Sequence, residues 1–562
     1  MKDFDVCIVG SGAGGAPVAY ELARAGYSVV VLEKGPWFTE KDYFKDELAC
    51  CRRSVYTPDL KDEQHVIDEP LGDGTGRDGW RATPTAESGW DFWNGNVVGG
   101  SSNFMSGYFH RLKPNDFRQL SEYGPIEGAN RVDWPIDYQT LEPYYAKVEQ
   151  VVGVSGRIEP HPNIEPRSTP DFPYPPTAEH PISAQIDAAC ADLGYHSLRV
   201  PRAVLSQPKN QRRSCEYSGY CGSYGCSSGA KGSARAALLD DAVATGRCEI
   251  RPHSHVLRLR NDARGQIVGA EYIDREGTVR LVDAKIYVVA CQAIETSRLL
   301  LSSIGPQFRN GLANKSGQVG KNLLFSAGGS GSGDFEFAGL NDRQRDDLRR
   351  VGPFVNRALD DWYEIRDPSF NLSRRKGGIV EFLFAHPNPT GKANGLKWGD
   401  DGLIWGADLK RRLETWFRTD RTLQFEVFND WLPTDACNVG LDPNVTDKYG
   451  KPVARVQIGY HPHDLEVGRY LLDKGEAVLR QMGAVRVSSS ASGSPPANLV
   501  AGGCRFGTHP DNSVLNADCR AHEVENLYVT DGSFMPTGGS VPYTWTIYAN
   551  AFRVADRIIA AI

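Results

Sequence analysis

The sequence predicts an α/β fold, in which a Rossmann-like domain is joined to an α+β domain with an antiparallel sheet. A strand, a glycine-rich loop and a helix open the chain, and strand-like runs such as 378–384 and 423–428 occur in its second half. The length of 562 residues exceeds what one ordinary hydrophobic core organises, which favours more than one domain.

The first element is a short apolar run, DVCIVG at residues 5–10, which is typical of a buried parallel strand. A helix is expected over 14–25, and a second strand over 28–32 ends at Glu33, whose carboxylate could bind a ribose hydroxyl. Three glycines between strand and helix permit a tight turn, a close approach to a pyrophosphate and close helix packing: Gly10, Gly12 and Gly15. This arrangement predicts a dinucleotide site.

The composition argues against several classes of protein. The formal net charge is −7 and no long basic tract is present, which argues against nucleic-acid binding. No apolar run approaches the roughly 20 residues of a membrane-spanning helix. The first predicted strand follows Met1 so closely that no signal peptide is expected. The 12 cysteines are scattered and do not form the pattern of a disulfide-stabilised domain.

Four further segments together resemble a known family. They read NGNVVGGSSNFMSG at 94–107, QAIETSRLLLSSIGP at 292–306, VGKNL at 319–323 and NLYVTDGSFMP at 526–536. In this order they are similar to the glucose–methanol–choline (GMC) family of flavoenzymes, and the similarity extends along the whole chain. The resemblance implies FAD as the cofactor.

The resemblance also assigns cofactor contacts to positions of this sequence. It places Val256 against adenine and Asp531 beside the flavin phosphates, although Val256 can equally be read as an ordinary strand valine. The second glycine-rich loop would lie against the flavin and its pyrophosphate: Gly99, Gly100, Ser101, Ser102 and Asn103. Some family members attach FAD covalently through a histidine of this loop. Position 103 is Asn, and His110 lies beyond the loop in a predicted strand YFHRL, so noncovalent FAD is expected.

The same resemblance implies a discontinuous FAD-binding domain. Its main part would cover residues 1–325, a substrate-binding domain would follow over 326–499, and residues 500–562 would return to the FAD-binding domain. An antiparallel sheet in the middle segment would cover the flavin.

A glycine-rich loop with few apolar side chains, 209–233, contains three cysteines: Cys215, Cys221 and Cys226. Thiolates are the ligands that iron–sulfur clusters use, and the glycines of the loop allow the backbone to wrap such a cage. Three local thiols favour a 3Fe-4S cluster, and a fourth ligand from Cys50 or Cys51 would make it a 4Fe-4S cluster. A zinc site, a disulfide with one spare thiol, and free thiols are the alternatives.

One branch of the family supports the cluster. Segments 110–117 and 133–156 resemble the flavoprotein subunits of bacterial sugar dehydrogenases. Some of those subunits carry an iron–sulfur cluster on a cysteine-rich loop before the segment GAKGS, which here occupies 229–233.

The catalytic base is the part of the family pattern that this sequence does not reproduce. The histidine of the family precedes a segment that here begins at Gly502, and the equivalent position is Leu499. The candidates near the expected pocket are Asn498, His509 and Tyr543. Asn498 can orient a hydroxyl but cannot accept its proton. His509 can also be read as a surface turn, and Tyr543 as packing.

The resemblance implies an FAD-dependent dehydrogenase that oxidises C1 of an aldose or C3 of a glycoside and passes electrons through the cluster to an acceptor such as a cytochrome. The unusual loops 498–509 and 538–545 slightly favour C3. A small subunit is an expected partner, and the location would be periplasmic through its co-export, or cytoplasmic. A sugar oxidase that uses dioxygen and a catalytically silent electron-transfer or assembly subunit are the alternatives.

Overall fold

The computed structural model describes residues 3–45, 47, 63–72, 74–88, 92, 95–326, 328–350, 354–369, 374–384, 389–399, 401–491, 493–495 and 499–562. Asn498, Cys50 and Cys51, which the sequence singled out, lie outside the described residues.

The described strands are β1 (Phe4–Val9), β2 (Val29–Leu32), β3 (Val66–Pro70), β4 (Trp80–Pro84), β5 (Ser197–Arg199), β6 (Cys248–Arg251), β7 (His255–Asn261), β8 (Ile267–Ile273), β9 (Val279–Val282), β10 (Ala284–Val289), β11 (Lys321–Phe325), β12 (Gly329–Glu336), β13 (Arg357–Leu359), β14 (Glu364–Ile365), β15 (Arg375–Lys376), β16 (Gly378–Phe384), β17 (Trp398–Gly399), β18 (Gly402–Leu403), β19 (Asp420–Asn429), β20 (Cys437–Thr446), β21 (Pro452–Ile458), β22 (Arg486–Ser490), β23 (Val500–Gly503) and β24 (Leu527–Val529). The α-helices are α1 (Gly15–Arg24), α2 (Thr85–Ser88), α3 (Gln119–Tyr123), α4 (Tyr138–Val148), α5 (Ile182–Leu193), α6 (Asp240–Ala244), α7 (Ala293–Ser302), α8 (Asp342–Arg349), α9 (Pro389–Leu396), α10 (Gly406–Glu414), α11 (Pro462–Gln481) and α12 (Thr544–Ala561).

A five-stranded parallel sheet has the order β24–β10–β1–β2–β6. The last four residues of β1 and all four of β2 are buried, which explains why both strands are continuous apolar runs rather than alternating ones. The strands come from the N-terminal, central and C-terminal parts of the chain. The predicted α/β fold with a Rossmann-like sheet is confirmed.

A six-stranded antiparallel sheet has the order β22–β12–β19–β16–β13–β5. One face of β19, with Leu423, Phe425 and Val427, packs in a hydrophobic core with residues of α11 such as Leu471. The side chains between them therefore point to the opposite face. Strand β5 belongs to this sheet although it precedes residue 326, and the division into domains stays a prediction.

The remaining larger sheets have the orders β23–β11–β20–β21–β3–β4 and β7–β8–β9. The expected strand YFHRL does not form, because segment 108–112 makes only an isolated bridge, between Tyr108 and Arg202. Over the described ranges, no helix combines the length and apolar character needed to cross a membrane.

Candidate active site

A cavity of about 880 Å³ lies at the carboxyl ends of the parallel strands. Its walls include residues 9–14 at the end of β1, 32–34 at the end of β2, 290–292 after β10 and 531–532 after β24. Strand β19 of the antiparallel sheet contributes to the wall as well. This edge of an open α/β sheet is the usual position of a bound dinucleotide.

The first glycine loop is open on the side that faces the cavity and tightly packed on the side that faces the protein. Gly10 has a φ of +94°, and a Cβ atom there would lie 2.3 Å from the carbonyl oxygen of Ala290. Gly12 is open, because the nearest atom to its Cβ position is the Cα of Gly100 at 4.0 Å. Helix α1 begins without a side-chain cap, so the N–H groups of its first turn can bind an anion.

Ser11, which lies between these glycines, connects three parts of the site. Its hydroxyl donates to Glu33 Oε2 at 2.5 Å and accepts from the Gly99 N–H at 2.9 Å. Glu33 lines the cavity as predicted, and it also accepts from the N–H groups of Ser11 and Gly35. Burial raises the pKa of Glu33, against these hydrogen bonds. Sequence reasoning used only the glycines of this motif and missed Ser11.

The second glycine loop meets the first one at the cavity. Gly100 has a φ of +59°, and a Cβ atom there would lie 3.1 Å from the Cα of Gly12. The predicted residues of this loop that line the cavity are Gly100, Ser101 and Ser102.

Three predicted residues of the two loops are not among the residues that line the cavity: Gly15, Gly99 and Asn103. A Cβ atom at Gly15 would lie 2.0 Å from the Gly10 carbonyl oxygen, so Gly15 permits the packing of α1. Gly99 packs against Arg235, with a φ of +94°. The Asn103 amide donates to the carbonyl oxygen of Gly100 at 3.0 Å and therefore holds the loop.

Asp531 and Val256 line the cavity as predicted. The Asp531 carboxylate accepts from the N–H of Gln292 at 3.0 Å and from that of Ser533 at 2.8 Å. Asp531 thus ties the turn after β10 to the turn after β24. Burial raises its pKa, against these hydrogen bonds.

One face of β19 forms the wall of the cavity opposite the glycine loops, with Gln424, Glu426 and Phe428 at alternate positions. Burial, with a contribution from the neighbouring Glu381 carboxylate, raises the pKa of Glu426 to about 7. Sequence reasoning missed Glu426. The signal was present in the run LQFEVF, where Gln and Glu alternate with apolar residues on a predicted strand.

The three residues predicted to be catalytic do not lie together in the described structure. Tyr543 lines the cavity, and burial raises its pKa well above the ordinary value, so it keeps its proton and can donate but not act as a base. His509 is exposed and is not among the residues that line the cavity, so the structure does not bring it together with Tyr543. Leu499 lines the cavity, and nothing is described for Asn498.

The three cysteines of loop 209–233 line one small separate cavity as free thiols. The backbone N–H of Tyr217 donates to Cys215 Sγ at 3.3 Å, and that of Lys231 donates to Cys226 Sγ at 3.5 Å. Such N–H donors also stabilise thiolates that ligate metal clusters. The structure therefore brings the predicted ligands together: Cys215, Cys221 and Cys226.

The environments of these thiols differ. Burial raises the pKa of Cys215 to about 12. Burial alone would also raise the pKa of Cys226, but the Lys231 ammonium and hydrogen bonds from Ser228 and the backbone hold it below the ordinary value. Lys231 itself is buried, and its ammonium group donates to the carbonyl oxygens of Asn103, Cys221 and Tyr224.

The cysteine loop and the main cavity share a wall, segment 104–107. The Ser223 N–H donates to the carbonyl oxygen of Phe104 at 2.7 Å, and Cys221 Sγ lies 4.0 Å from the carbonyl oxygen of Ser106. Ser223, with a φ of +65°, lines the main cavity as well. The cysteine loop thus contacts the segment that follows the second glycine loop, with Cys221 as the thiol at this contact.

The residues of the main cavity fit FAD. A pyrophosphate would be held by the N–H groups of 12–14 and adenine near Val256, while 100–107 and β19 would enclose the flavin ring. The first glycine loop supports this fit. A Cβ atom at Gly10 would clash with the protein, while Gly12 faces open space that a cofactor can occupy.

Comparison with known proteins agrees with this geometry. Two family profiles described as GMC oxidoreductase match residues 81–326 and 433–551, and one described as FAD dependent oxidoreductase matches 5–41. The 2-methyl-1,2-propanediol dehydrogenase of Mycolicibacterium austroafricanum is 30% identical, over 99% of this chain and 95% of its own. The gluconate 2-dehydrogenase flavoprotein of Pantoea cypripedii is 25% identical, over 99% and 94%.

A solved structure shows the same fold. Pyridoxine 4-oxidase from Mesorbium loti superposes with a TM-score of 0.61 over 99% of both chains, at 18% identity. The family predicted from the sequence is therefore confirmed: this chain belongs to the GMC oxidoreductase family and is an FAD-dependent oxidoreductase.

Proposed function

We propose that this protein is a dehydrogenase that oxidises a secondary or anomeric hydroxyl of a sugar, glycoside or related alcohol and passes the electrons through an iron–sulfur cluster to an external acceptor. The observation that carries this proposal is segment 104–107, which lines the main cavity and contacts the cysteine loop at Cys221 and Ser223. The relative named for the 2-position of gluconate supports a secondary hydroxyl of a sugar derivative, and the relative named for a propanediol supports alcohol substrates more broadly.

The cluster is supported by its donor set and by an unusual buried charge. Three free thiols line one cavity, and Lys231 lines it too. Lys231 is buried, and its ammonium group has only carbonyl oxygens as hydrogen-bond partners among the described residues. A buried cation is stable when an anion lies near it, and an iron–sulfur cluster with thiolate ligands supplies one. A 3Fe-4S cluster uses this set of three ligands alone.

The substrate would lie between the flavin and β19. When bound, FAD takes up the hydrogen and the electron pair of the substrate C–H bond. Tyr543 can donate a hydrogen bond to the substrate, Gln424 can orient a hydroxyl, and Phe428 offers an apolar face. C1 of an aldose and C3 of a glycoside are the candidate positions. FAD would be noncovalent, because the histidine among the described lining residues, His255, lies beside Val256 at the adenine end.

The test compares holoprotein of the wild type with Cys221→Ser and with Cys190→Ser, a buried cysteine of α5 that does not line the thiol cavity. We expect iron and sulfide in the wild type and in Cys190→Ser, with an EPR signal after anaerobic treatment. Cys221→Ser should lose both while its flavin is still reduced by substrate. A wild type without iron and sulfide would end the cluster proposal.

The alternatives give other results with the same samples. Rapid peroxide formation from sugar and dioxygen without a dye would favour an oxidase. Bound FAD that no sugar or alcohol reduces would favour a silent electron-transfer subunit. We also propose a small subunit and a cytochrome as partners, which co-purification from the native source would reveal.

A further inference from the structure

The proposed reaction needs a proton acceptor, and the described positions of the family pattern do not supply one. Leu499 lines the cavity where the family has a histidine, and Val541 is buried and apolar. Tyr108 and Tyr543 line the cavity, but burial raises the pKa of both phenols, so they keep their protons. A carboxylate or imidazole elsewhere on the wall must take this role.

Glu426 has the position that such a group requires. It stands between Gln424 and Phe428 on the face of β19 that forms the cavity wall. Within the described part of the chain, no hydrogen-bond donor reaches its carboxylate, and burial and the Glu381 charge are the influences on it. A carboxylate that faces a substrate cavity without a donor can accept a hydrogen bond from a substrate hydroxyl.

Glu381 and His110 lie between Glu426 and a second cavity. Glu381 is directly opposite Glu426 in the β16–β19 pair, so the two side chains share one face of the sheet. Glu381 is fully buried, and its Oε1 is hydrogen-bonded to His110 Nε2. His110 lines a cavity of about 80 Å³ that also contacts the exposed residue Arg157.

We propose that Glu426 is the catalytic base for alcohol oxidation and that Glu381 and His110 lead the proton away to this second cavity. This inference rests on the proposed function. As the substrate C–O single bond becomes a double bond, the hydroxyl proton passes to a Glu426 oxygen. The hydrogen of the C–H bond leaves with its electron pair to the flavin. Glu426 is then deprotonated through Glu381 and His110, which are positioning residues rather than contacts of the substrate.

The hydrogen bonds of the pair leave Glu426 as the carboxylate that can meet the substrate. Glu381 is hydrogen-bonded to His110, whereas no donor among the described residues reaches Glu426, so the Glu426 carboxylate stays open to a substrate hydroxyl. Among the described residues, the pair also has near it Tyr108, which lines the cavity, and Arg202, which lies over the Tyr108 ring. The buried Asp360 carboxylate interacts with His110 and lines the second cavity with it.

The first experiment measures anaerobic flavin reduction in holoprotein by glucose, lactose, methyl glucoside, gluconate and 2-methyl-1,2-propanediol. Glu426→Gln should slow the reduction by about 10²- to 10⁴-fold at unchanged FAD content. Glu336→Gln, the same change at an exposed position of β12, should leave the rate unchanged. Acetate should partly restore Glu426→Ala. An unchanged rate in Glu426→Gln would overturn the proposal while leaving the proposed function intact, whereas a wild type that no alcohol reduces would overturn both.

Two readouts separate catalysis from a structural role. Infrared difference titration of the resting holoprotein should show a carboxyl that titrates near pH 7 in the wild type and is missing in Glu426→Gln. Its presence in both proteins would overturn the assignment without reference to activity. Glu381→Gln and His110→Gln should shift the pH profile of flavin reduction and keep the affinity for substrate. An unshifted profile in both variants would overturn the relay.

Discussion

The two ends of the main cavity are built in different ways. At the nucleotide end the wall is backbone: Gly10, Gly12 and Gly100 bring main-chain atoms together, and a single added Cβ at Gly10 would collide with Ala290. At the substrate end the wall is made of side chains from distant segments, such as Tyr108, Glu426 and Tyr543. The backbone wall at the nucleotide end can be predicted from a local sequence motif. The side-chain wall at the other end depends on which residues strand pairing brings together. Substitutions at each end test this difference.

The largest effect is expected at the nucleotide end, from Gly10→Ala. The new Cβ would meet the Ala290 carbonyl oxygen at 2.3 Å, so we expect loss of FAD binding or of the folded protein. Gly26→Ala is the matched control, because Gly26 has a φ of +93° with no atom within 4 Å of the Cβ position. It should cost only the left-handed backbone strain, about 1–2 kcal/mol. FAD absorbance and denaturant unfolding measure the bound FAD and the stability of both variants. Equal losses in the two variants would contradict a specific need for glycine at position 10.

The next effect concerns the wall between flavin and thiols. Lys231→Met removes a buried positive charge and the ammonium donor to the carbonyl oxygens of Asn103, Cys221 and Tyr224, of which the Cys221 oxygen still accepts from the Tyr224 N–H. We expect at least a tenfold loss in the reduction of an external acceptor, with a smaller change in flavin reduction by substrate. Lys285→Met, which removes an exposed surface pair with Asp5, should change neither rate. Equal loss of both rates in Lys231→Met would contradict separate electron-transfer and substrate sites.

A smaller effect is expected from Ser11→Ala, which removes the hydroxyl between the two glycine loops. Glu33 loses one donor and the Gly99 N–H loses its acceptor, at a cost of about 1–3 kcal/mol in the free energy of unfolding. Ser332→Ala on strand β12, where the hydroxyl has only a 3.5 Å contact with Ser488, should be nearly neutral. Denaturant unfolding of FAD-loaded protein compares the two variants. Similar free energies of unfolding would show that the Ser11 hydroxyl does not stabilise the two glycine loops.

The last comparison concerns the pH dependence of stability. The pKa of Glu426 is about 7 in the folded protein against an ordinary value of 4.5, so the folded state holds this proton more tightly. Its contribution to stability is present below pH 4.5 and is lost as the pH rises through 7, at about 1.4 kcal/mol per pKa unit. Glu426→Gln should therefore gain stability relative to wild type between these pH values in denaturant unfolding. Parallel curves would show that the pKa of Glu426 is ordinary.

The sequence was sufficient for the fold and for most of the nucleotide end. The apolar runs of β1 and β2, the GxGxxG spacing and Glu33 each encode a local backbone conformation, and the structure places them as expected. The three cysteines were found because one short loop contains them all. Gly99 and Asn103 do not line the cavity in the structure, and a motif alone does not show which of its residues face the ligand.

The catalytic end could not be predicted for a physical reason. The family's histidine position holds Leu499, and His509, close in sequence, is exposed on the surface. Glu426 meets Glu381 across two strands, and His110 joins them from a segment more than 270 residues away in sequence. Only the pairing of β16 with β19 and the position of segment 108–112 bring these groups together.

The most direct test of the account is one anaerobic mixing experiment with wild-type holoprotein and the five alcohols named above. Flavin absorbance and the EPR signal of the cluster are followed in the same reaction. We predict that at least one alcohol bleaches the flavin and that the EPR signal of the cluster changes afterwards, as electrons cross the wall 104–107. Bleaching without any iron–sulfur signal would contradict the electron path, and no bleaching with any alcohol would contradict the proposed function.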